Sequence, residues 1–264
     1  MKRFVRGRSP GVVNHRRGLT LIELIVVLII LVGLGGLLVP VISNALTRTH
    51  VATCSANFPE ITQALMRMDA LRGNFGNNWD SGMESGGGAL NNIPGAPGAP
   101  GGGYTTVALA AGEELALAAA GITQVFDHTA DPSPNYNVTF NPEYAPARVL
   151  EVGEELITMT ADQARAVFLP VVNNEKYVVL GIGPNWTGLR DVAFEMPVHF
   201  GDTPGTLPHE VYSRFQGIFQ VADAAGVALP RAEFKGVTIA LNGTDYETAD
   251  FHSAVYWTEV NGQQ

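Results

Sequence analysis

The chain has 264 residues, a formal net charge of −9 at pH 7 and one cysteine, Cys54. One cysteine excludes a disulfide within this sequence, so we expect Cys54 to be a small packing residue. Six of the 16 lysines and arginines, and none of the 25 acidic residues, lie in residues 1–18. The remaining residues therefore carry a formal charge of −15, which excludes nucleic-acid binding through a general basic surface.

The first predicted element is a membrane-length helix over residues 19–47. Residues 24–47 contain no charged side chain, and 24 helical residues span about 36 Å, enough to cross a hydrocarbon core of about 30 Å. The positive-inside rule places basic residues 1–18 in the cytoplasm and the rest of the chain beyond the membrane. Glu23 lies at the start of this segment, where a charge costs at least about 2.5 kcal/mol, so we expect it to have a partner.

A chain cut after Gly18 would begin with a positively charged amine at Leu19, roughly one helical turn before Glu23. Residues 18–27 read Gly-Leu-Thr-Leu-Ile-Glu-Leu-Ile-Val-Val. They resemble the cleavage and methylation signal of type IV prepilins and type II secretion pseudopilins. The resemblance implies that a prepilin peptidase cuts after Gly18 and N-methylates Leu19. It also implies that Glu23, with Thr20 nearby, guides assembly.

The resemblance covers about the first 75 residues and also implies a helix-loosening proline at Pro40. Leu19 departs from the family's commoner phenylalanine, although both are large and apolar. The implied function is that of a structural subunit of a pilus-like or secretion-like filament, not an enzyme. The implied partners are the prepilin peptidase, other pilin or pseudopilin subunits and an inner-membrane assembly platform. The implied location is a single pass through the inner membrane with a periplasmic head, followed by a periplasmic or extracellular filament.

Three other interpretations stay open. A secretory signal peptide would be cut near residues 43–45, although the apolar segment is long for that class. A plain membrane anchor fits the length but leaves the spacing of Gly18 and Glu23 to chance. A membrane-anchored or secreted binding or adhesin domain would use the pilin-like segment only for export.

An amphipathic continuation of the helix is predicted over residues 48–72. The apolar residues that recur at helical spacing are Ile61, Leu65, Met68 and Leu71. We expect this stripe to pack against the sheet of the head. Pro59 predicts a break or restart of the helix, with Asn57 as an N-cap-like residue. Residues 73–106 are predicted to form a Gly/Pro-rich loop.

Residues 107–264 are predicted to form a globular α+β head. Alanine and leucine favour a helix over residues 107–120, and residues 161–168 predict a short one. The β-prone runs are residues 136–140, 148–152, 156–160, 177–182, 192–194, 237–241 and 254–260. Residues 211–221 fit neither period. The predicted fold class is therefore α+β, with a long N-terminal helix (membrane half plus amphipathic half) packed on a mostly antiparallel sheet, as the resemblance also implies.

The head offers no catalytic residues by motif. It lacks a Walker phosphate loop, a zinc-protease histidine pair and a nucleophile elbow. Asp245, Glu247 and Asp250 form an acidic loop whose oxygens could bind Ca²⁺. A C-terminal calcium site is also known in the type II secretion major pseudopilin, a member of the family whose processing signal the sequence resembles. A solvated acidic loop without metal is the alternative. No other cofactor is expected.

Overall fold

The computed structural model describes residues 21–90, 105–129, 142–159, 174–192, 195, 197–198, 212, 214–240 and 246–247, and for residues 37–55, 192, 240, 246 and 247 only their backbone. Over these residues the protein is a mixed α+β structure with a mostly antiparallel sheet, which confirms the fold class at that level. The chain divides into two compact units, Met1–Leu46 and Thr47–Gln264.

Helix α1 spans Leu21–Arg72 and accounts for all the described residues of the first unit. Its first turns carry large apolar side chains that are between 45% and 77% exposed from Leu21 to Leu34. In the part of the chain that the structure describes, no helix meets both the length and the hydropathy needed to cross a membrane.

The predicted break at Pro59 is wrong, because α1 continues through it without interruption. Phe58 and Ile61, on either side of the proline, are 1% and 8% exposed. Their burial holds this turn in the helix against the lost backbone donor of the proline.

The rest of the described chain consists of β1 Trp79–Glu84, β2 Thr105–Ala108, α2 Glu113–Ala119, β3 Gln124–His128, β4 Arg148–Val149, β5 Glu155–Thr158, β6 Lys176–Gly181, α3 Leu189–Val192, β7 Phe215–Ala222, β8 Ala228–Ala240 and β9 Tyr246–Glu247. The strands form one sheet in the order β4-β3-β1-β6-β7-β8-β9. Strand β5 also pairs with β6 and carries β2 on its other side. The pairing of β1 with β3 is parallel, and the other strand pairings of the described sheet are antiparallel.

The core lies between the sheet and the part of α1 that belongs to the second unit. Phe58, Ile61, Leu65 and Met68 are buried there, and the ring of Phe58 meets Phe215 of β7 edge to face at 5.2 Å. The buried positions of α1 are spaced three, four and three residues apart and end at Met68. Leu71, predicted to share this stripe, lies in the last turn of α1 beyond them and is 79% exposed.

The predicted loop over residues 73–106 contains strand β1, and Trp79 in that strand is fully buried. The sequence does not predict this strand because two of its buried residues, Asp80 and Ser81, are polar. The helix predicted over residues 107–120 begins only at Glu113, after β2.

Four of the predicted β-prone runs contain or overlap strands: β4, β5, β6 and the second half of β8. The run 211–221, which fits neither period, overlaps strand β7 from residue 215 onward. Every residue of β7 is buried, so the strand lacks the alternation of buried apolar and exposed polar residues that would reveal it. Strand β3 was not predicted. Val192, predicted to lie in a strand, is instead the last residue of helix α3. The backbone N–H of Leu189 donates to the carbonyl of Trp186, and this turn starts the helix. The predictions for residues 136–140, 161–168 and 254–260 lie outside the described residues.

Candidate functional site

The predicted processing residues lie before the first described residue of α1. Gly18, Leu19 and Thr20 are outside the described part of the chain, and Glu23 falls in the first turn of α1. Pro40 lies within α1, where only the backbone is described. The predicted loosening of the helix at Pro40 stays a prediction.

Glu23 is an exposed carboxylate on an otherwise apolar stretch of helix. It is the one charged residue of residues 21–36, and Ile22 and Leu24 beside it are 71% and 57% exposed. The first turn of a helix presents backbone N–H groups without intrahelical partners and the positive end of the helix dipole. A carboxylate is therefore favoured at this end of the helix. Glu23 is the one charged side chain among the exposed apolar side chains of residues 21–36.

The predicted calcium loop is described at one residue. Glu247 lies in β9 opposite Ile239 of β8, whereas Asp245 and Asp250 lie outside the described residues. Among the residues that the structure does describe, no group of three or more histidine, cysteine, aspartate or glutamate side chains is placed to hold a metal ion. Calcium binding at this loop stays a prediction.

The structure also brings together a buried ionic cluster, defined by Asp80, His128, Tyr144 and Arg214. Asp80 lies in β1 opposite Gly181 of β6, and His128 ends β3. The side chains of Asp80, His128 and Arg214 are 0% exposed. Four separate stretches of chain thus meet at one carboxylate.

Asp80 is the centre of the hydrogen bonding in this ionic cluster. His128 Nε2 lies 2.9 Å from Oδ2 and 3.0 Å from Oδ1 of Asp80. The hydroxyl of Tyr144 donates to Oδ2 at 2.6 Å, and Nη1 of Arg214 donates to the same oxygen and to the Tyr144 hydroxyl. The guanidinium of Arg214 also stacks 5.4 Å from the ring centre of Tyr212.

The electrostatics of the cluster keep Asp80 ionised. Burial alone would raise the pKa of Asp80, but the charges of His128 and Arg214, with hydrogen bonds from His128 and Tyr144, hold the pKa below its ordinary value. Burial and the negative charge of Asp80 raise the pKa of Tyr144 and of Tyr212. Burial opposes the charge of Arg214, but the Asp80 carboxylate outweighs it and raises the pKa of the guanidinium.

Such a cluster is suited to holding strands together. General acid–base catalysis needs a group within hydrogen-bonding reach of a substrate proton, and solvent does not touch the side chains of Asp80, His128 or Arg214. Sequence reasoning missed the cluster because its members lie between 16 and 134 positions apart and follow no motif. A weak signal was the polar pair Asp80–Ser81 directly after a tryptophan.

Comparison with known proteins adds no relative: no protein-family model, no curated protein and no solved structure matches the chain.

Proposed function

We propose that the chain is a structural subunit, a pilin or pseudopilin, of a type IV pilus-like or type II secretion-like filament. The observation that carries the proposal is Glu23, the one charged residue of residues 21–36, in the first turn of a helix whose surrounding side chains are large, apolar and exposed. Exposed apolar residues at this density need a covering partner. Copies of the same helix, bundled side by side, would supply it.

The role of Glu23 in this proposal is to select the position of each incoming subunit. In an apolar bundle an unpaired carboxylate is costly. Cleavage after Gly18 would give each chain an amine at Leu19, and docking that pairs this amine with Glu23 would remove the cost. A wrong position along the bundle would leave both charges unpaired.

The membrane step of the proposal rests on the sequence. Residues 24–47 carry no charged side chain and follow a leader with six basic residues. They would store the subunit in the inner membrane, with the head on the far side, until the prepilin peptidase processes it. Within the second unit, α1 packs into the core of the head through Phe58 and Leu65.

The test has two measurements: the N-terminal residue of the mature chain and the amount of each variant that enters filaments. Mass spectrometry of the chain from native membranes should find a mature form beginning at N-methylated Leu19. Glu23→Ala should still insert in the membrane, since it removes a charge that costs at least about 2.5 kcal/mol. Its amount in sheared filaments should fall at least tenfold, the change that about 1.4 kcal/mol of lost docking energy produces.

Glu195→Ala is the matched control, because Glu195 is exposed and has no ion-pair partner among the described residues. It should assemble as the wild type does. An intact Met1 leader, or normal filament incorporation of Glu23→Ala, would contradict the proposal. Processing at Leu19 without any filament would instead support a binding domain that uses the segment for export.

A further inference from the structure

We propose that a cleft at the β4 edge of the sheet binds the outer face of α1 from a second copy of the chain, with Arg67 of that copy entering the cleft. This inference rests on the proposed filament function and adds a contact between heads. The cleft has a volume of about 280 Å³ and lies between the turn after β1, the end of β3 and the β4–β5 turn. We call it the acidic cleft; its charged lining residues are Glu84, Asp127, Arg148, Glu154 and Glu155.

The acidic cleft is lined by four carboxylates and one guanidinium. Arg148 is its one basic lining residue, and it is already shared between Asp127 at 2.6 Å and Glu154 at 2.7 Å. Glu155 is exposed, and its carboxylate has no hydrogen-bond or ion-pair partner among the described residues. Glu155 thus adds a negative charge that Arg148, already paired with Asp127 and Glu154, does not neutralise. The cleft therefore favours a cationic group.

An exposed apolar side chain adjoins the cleft. Val152 precedes the lining residue Gly153 in the turn between β4 and β5 and is 57% exposed. An exposed valine beside an acidic depression fits a partner that presents a cation flanked by apolar groups rather than a free inorganic ion.

The same chain presents such a surface on α1. Arg67 is exposed and has no carboxylate partner in the described part of the chain. Met66 and Leu71 beside it are 58% and 79% exposed, on the side of the helix that faces away from the core. A helix places residues i and i+4 next to each other, so Arg67 and Leu71 are neighbours on this outer face.

The outer face of α1 and the acidic cleft are different patches of the same chain, and this determines the symmetry of the assembly. A contact between unlike patches of identical chains is head-to-tail, and it produces a ring or an open filament rather than a closed two-fold dimer. Pairing the outer face of α1 with the acidic cleft joins a cation to an anionic site and apolar residues to apolar residues. Both interacting surfaces belong to the second unit of the chain, Thr47–Gln264.

Charge exchange between the two surfaces tests the proposal in full-length protein in cells. Arg67→Glu should lower the amount of chain in sheared filaments at least about tenfold, because it sets like charges against each other. Glu155→Arg should have an effect of similar size. The double variant Arg67→Glu with Glu155→Arg should recover most of the wild-type amount.

The controls are Arg190→Glu and Glu195→Arg, which make the same charge changes at exposed residues without ion-pair partners in the described chain. Both should assemble normally. A second measurement mixes Arg67→Cys and Glu155→Cys chains in a Cys54→Ala background, and oxidation should join them into cross-linked pairs. Steady levels of full-length chain in the membrane show that each variant folds.

The outcomes separate this inference from the proposed function. If the wild type forms filaments and Arg67→Glu does too, or if the double variant fails to recover, the contact between Arg67 and the acidic cleft is refuted while the filament function stands. If the wild type is absent from filaments, the proposed function fails first. Cross-linking confined to chains that both carry Arg67→Cys would also overturn the inference, since it would indicate a symmetric contact.

Discussion

Replacing Asp80 by asparagine should destabilise the head far more than the same change at an exposed ion pair. Asparagine keeps the shape of the side chain and removes its charge. The guanidinium of Arg214, whose side chain is 0% exposed, would then face a neutral amide. Tyr144 would lose a charged acceptor at 2.6 Å, and His128 would lose the carboxylate that meets its Nε2 at 2.9 Å.

The expected size follows from leaving a buried charge without compensation. Removing one partner of a buried ion pair costs about 3–5 kcal/mol, a large part of the roughly 5–15 kcal/mol that stabilises a typical domain. A domain of about 150–250 residues loses about 2–4 °C of unfolding midpoint for each kcal/mol. Asp80→Asn should therefore lower the midpoint by about 6–20 °C.

The assay is thermal unfolding of the full chain in detergent, followed by tryptophan fluorescence. Trp79 and Trp186 are 0% and 2% exposed, so both report on loss of the core. The control is Asp191→Asn, which breaks an ion pair with Arg72 that is 35% to 51% exposed and is expected to contribute at most about 1 kcal/mol. A midpoint for Asp80→Asn no lower than that of Asp191→Asn would refute the structural role of the buried cluster.

Two further predictions concern the same region. Gly181→Ala should cost about 1–3 kcal/mol in chemical unfolding, because its Cβ would collide with the hydroxyl of Tyr212 and lie 3.3 Å from Cβ of Asp80. Stability should also depend on pH: the pKa of Asp80 is lowered on folding, so its contribution is complete above its unfolded pKa of about 3.9 and is lost as pH falls through the folded value. The pKa of Tyr144 is raised on folding, so its contribution is complete below about pH 10 and is lost as pH rises further. Unfolding midpoints measured from pH 2 to 11 check both limbs. An unchanged midpoint for Gly181→Ala, or an acid limb that is the same in Asp80→Asn, would contradict these expectations.

The sequence predicted the elements whose residues carry a local signal. The buried positions Ile61, Leu65 and Met68 follow the helical period. The continuous apolar residues 177–180 within β6 are typical of a buried strand. These features depend on residues within one or two turns or one strand, where spacing alone determines which face is buried.

The parts that the sequence did not predict depend on pairing over long distances. Strand β1 pairs in parallel with β3, about 45 residues further along the chain, and the Gly-rich stretch around it is typical of a loop. The sequence predicts a break at Pro59 because a proline removes a backbone hydrogen-bond donor from the helix. The burial of Phe58, which offsets this loss, depends on contact with Phe215 of β7, far away in the sequence. Each contact of the ionic cluster joins segments far apart in the chain, and the whole cluster needs four segments in place.

The buried ionic cluster is better explained by strand register than by stability. Replacing a whole buried ion cluster with apolar residues is often neutral or stabilising, so stability alone does not require these side chains. Register does: a shift of β1 by one residue would bring Trp79 or Ser81 to the place of Asp80 and leave Arg214 without its carboxylate. We therefore expect Asp80→Leu combined with Arg214→Met to keep an unfolding midpoint closer to wild type than Asp80→Asn does. Amide exchange in β1 should nevertheless be faster in that double variant. Unchanged exchange in β1 would show that the apolar neighbours, Trp79 above all, fix the register without the charges.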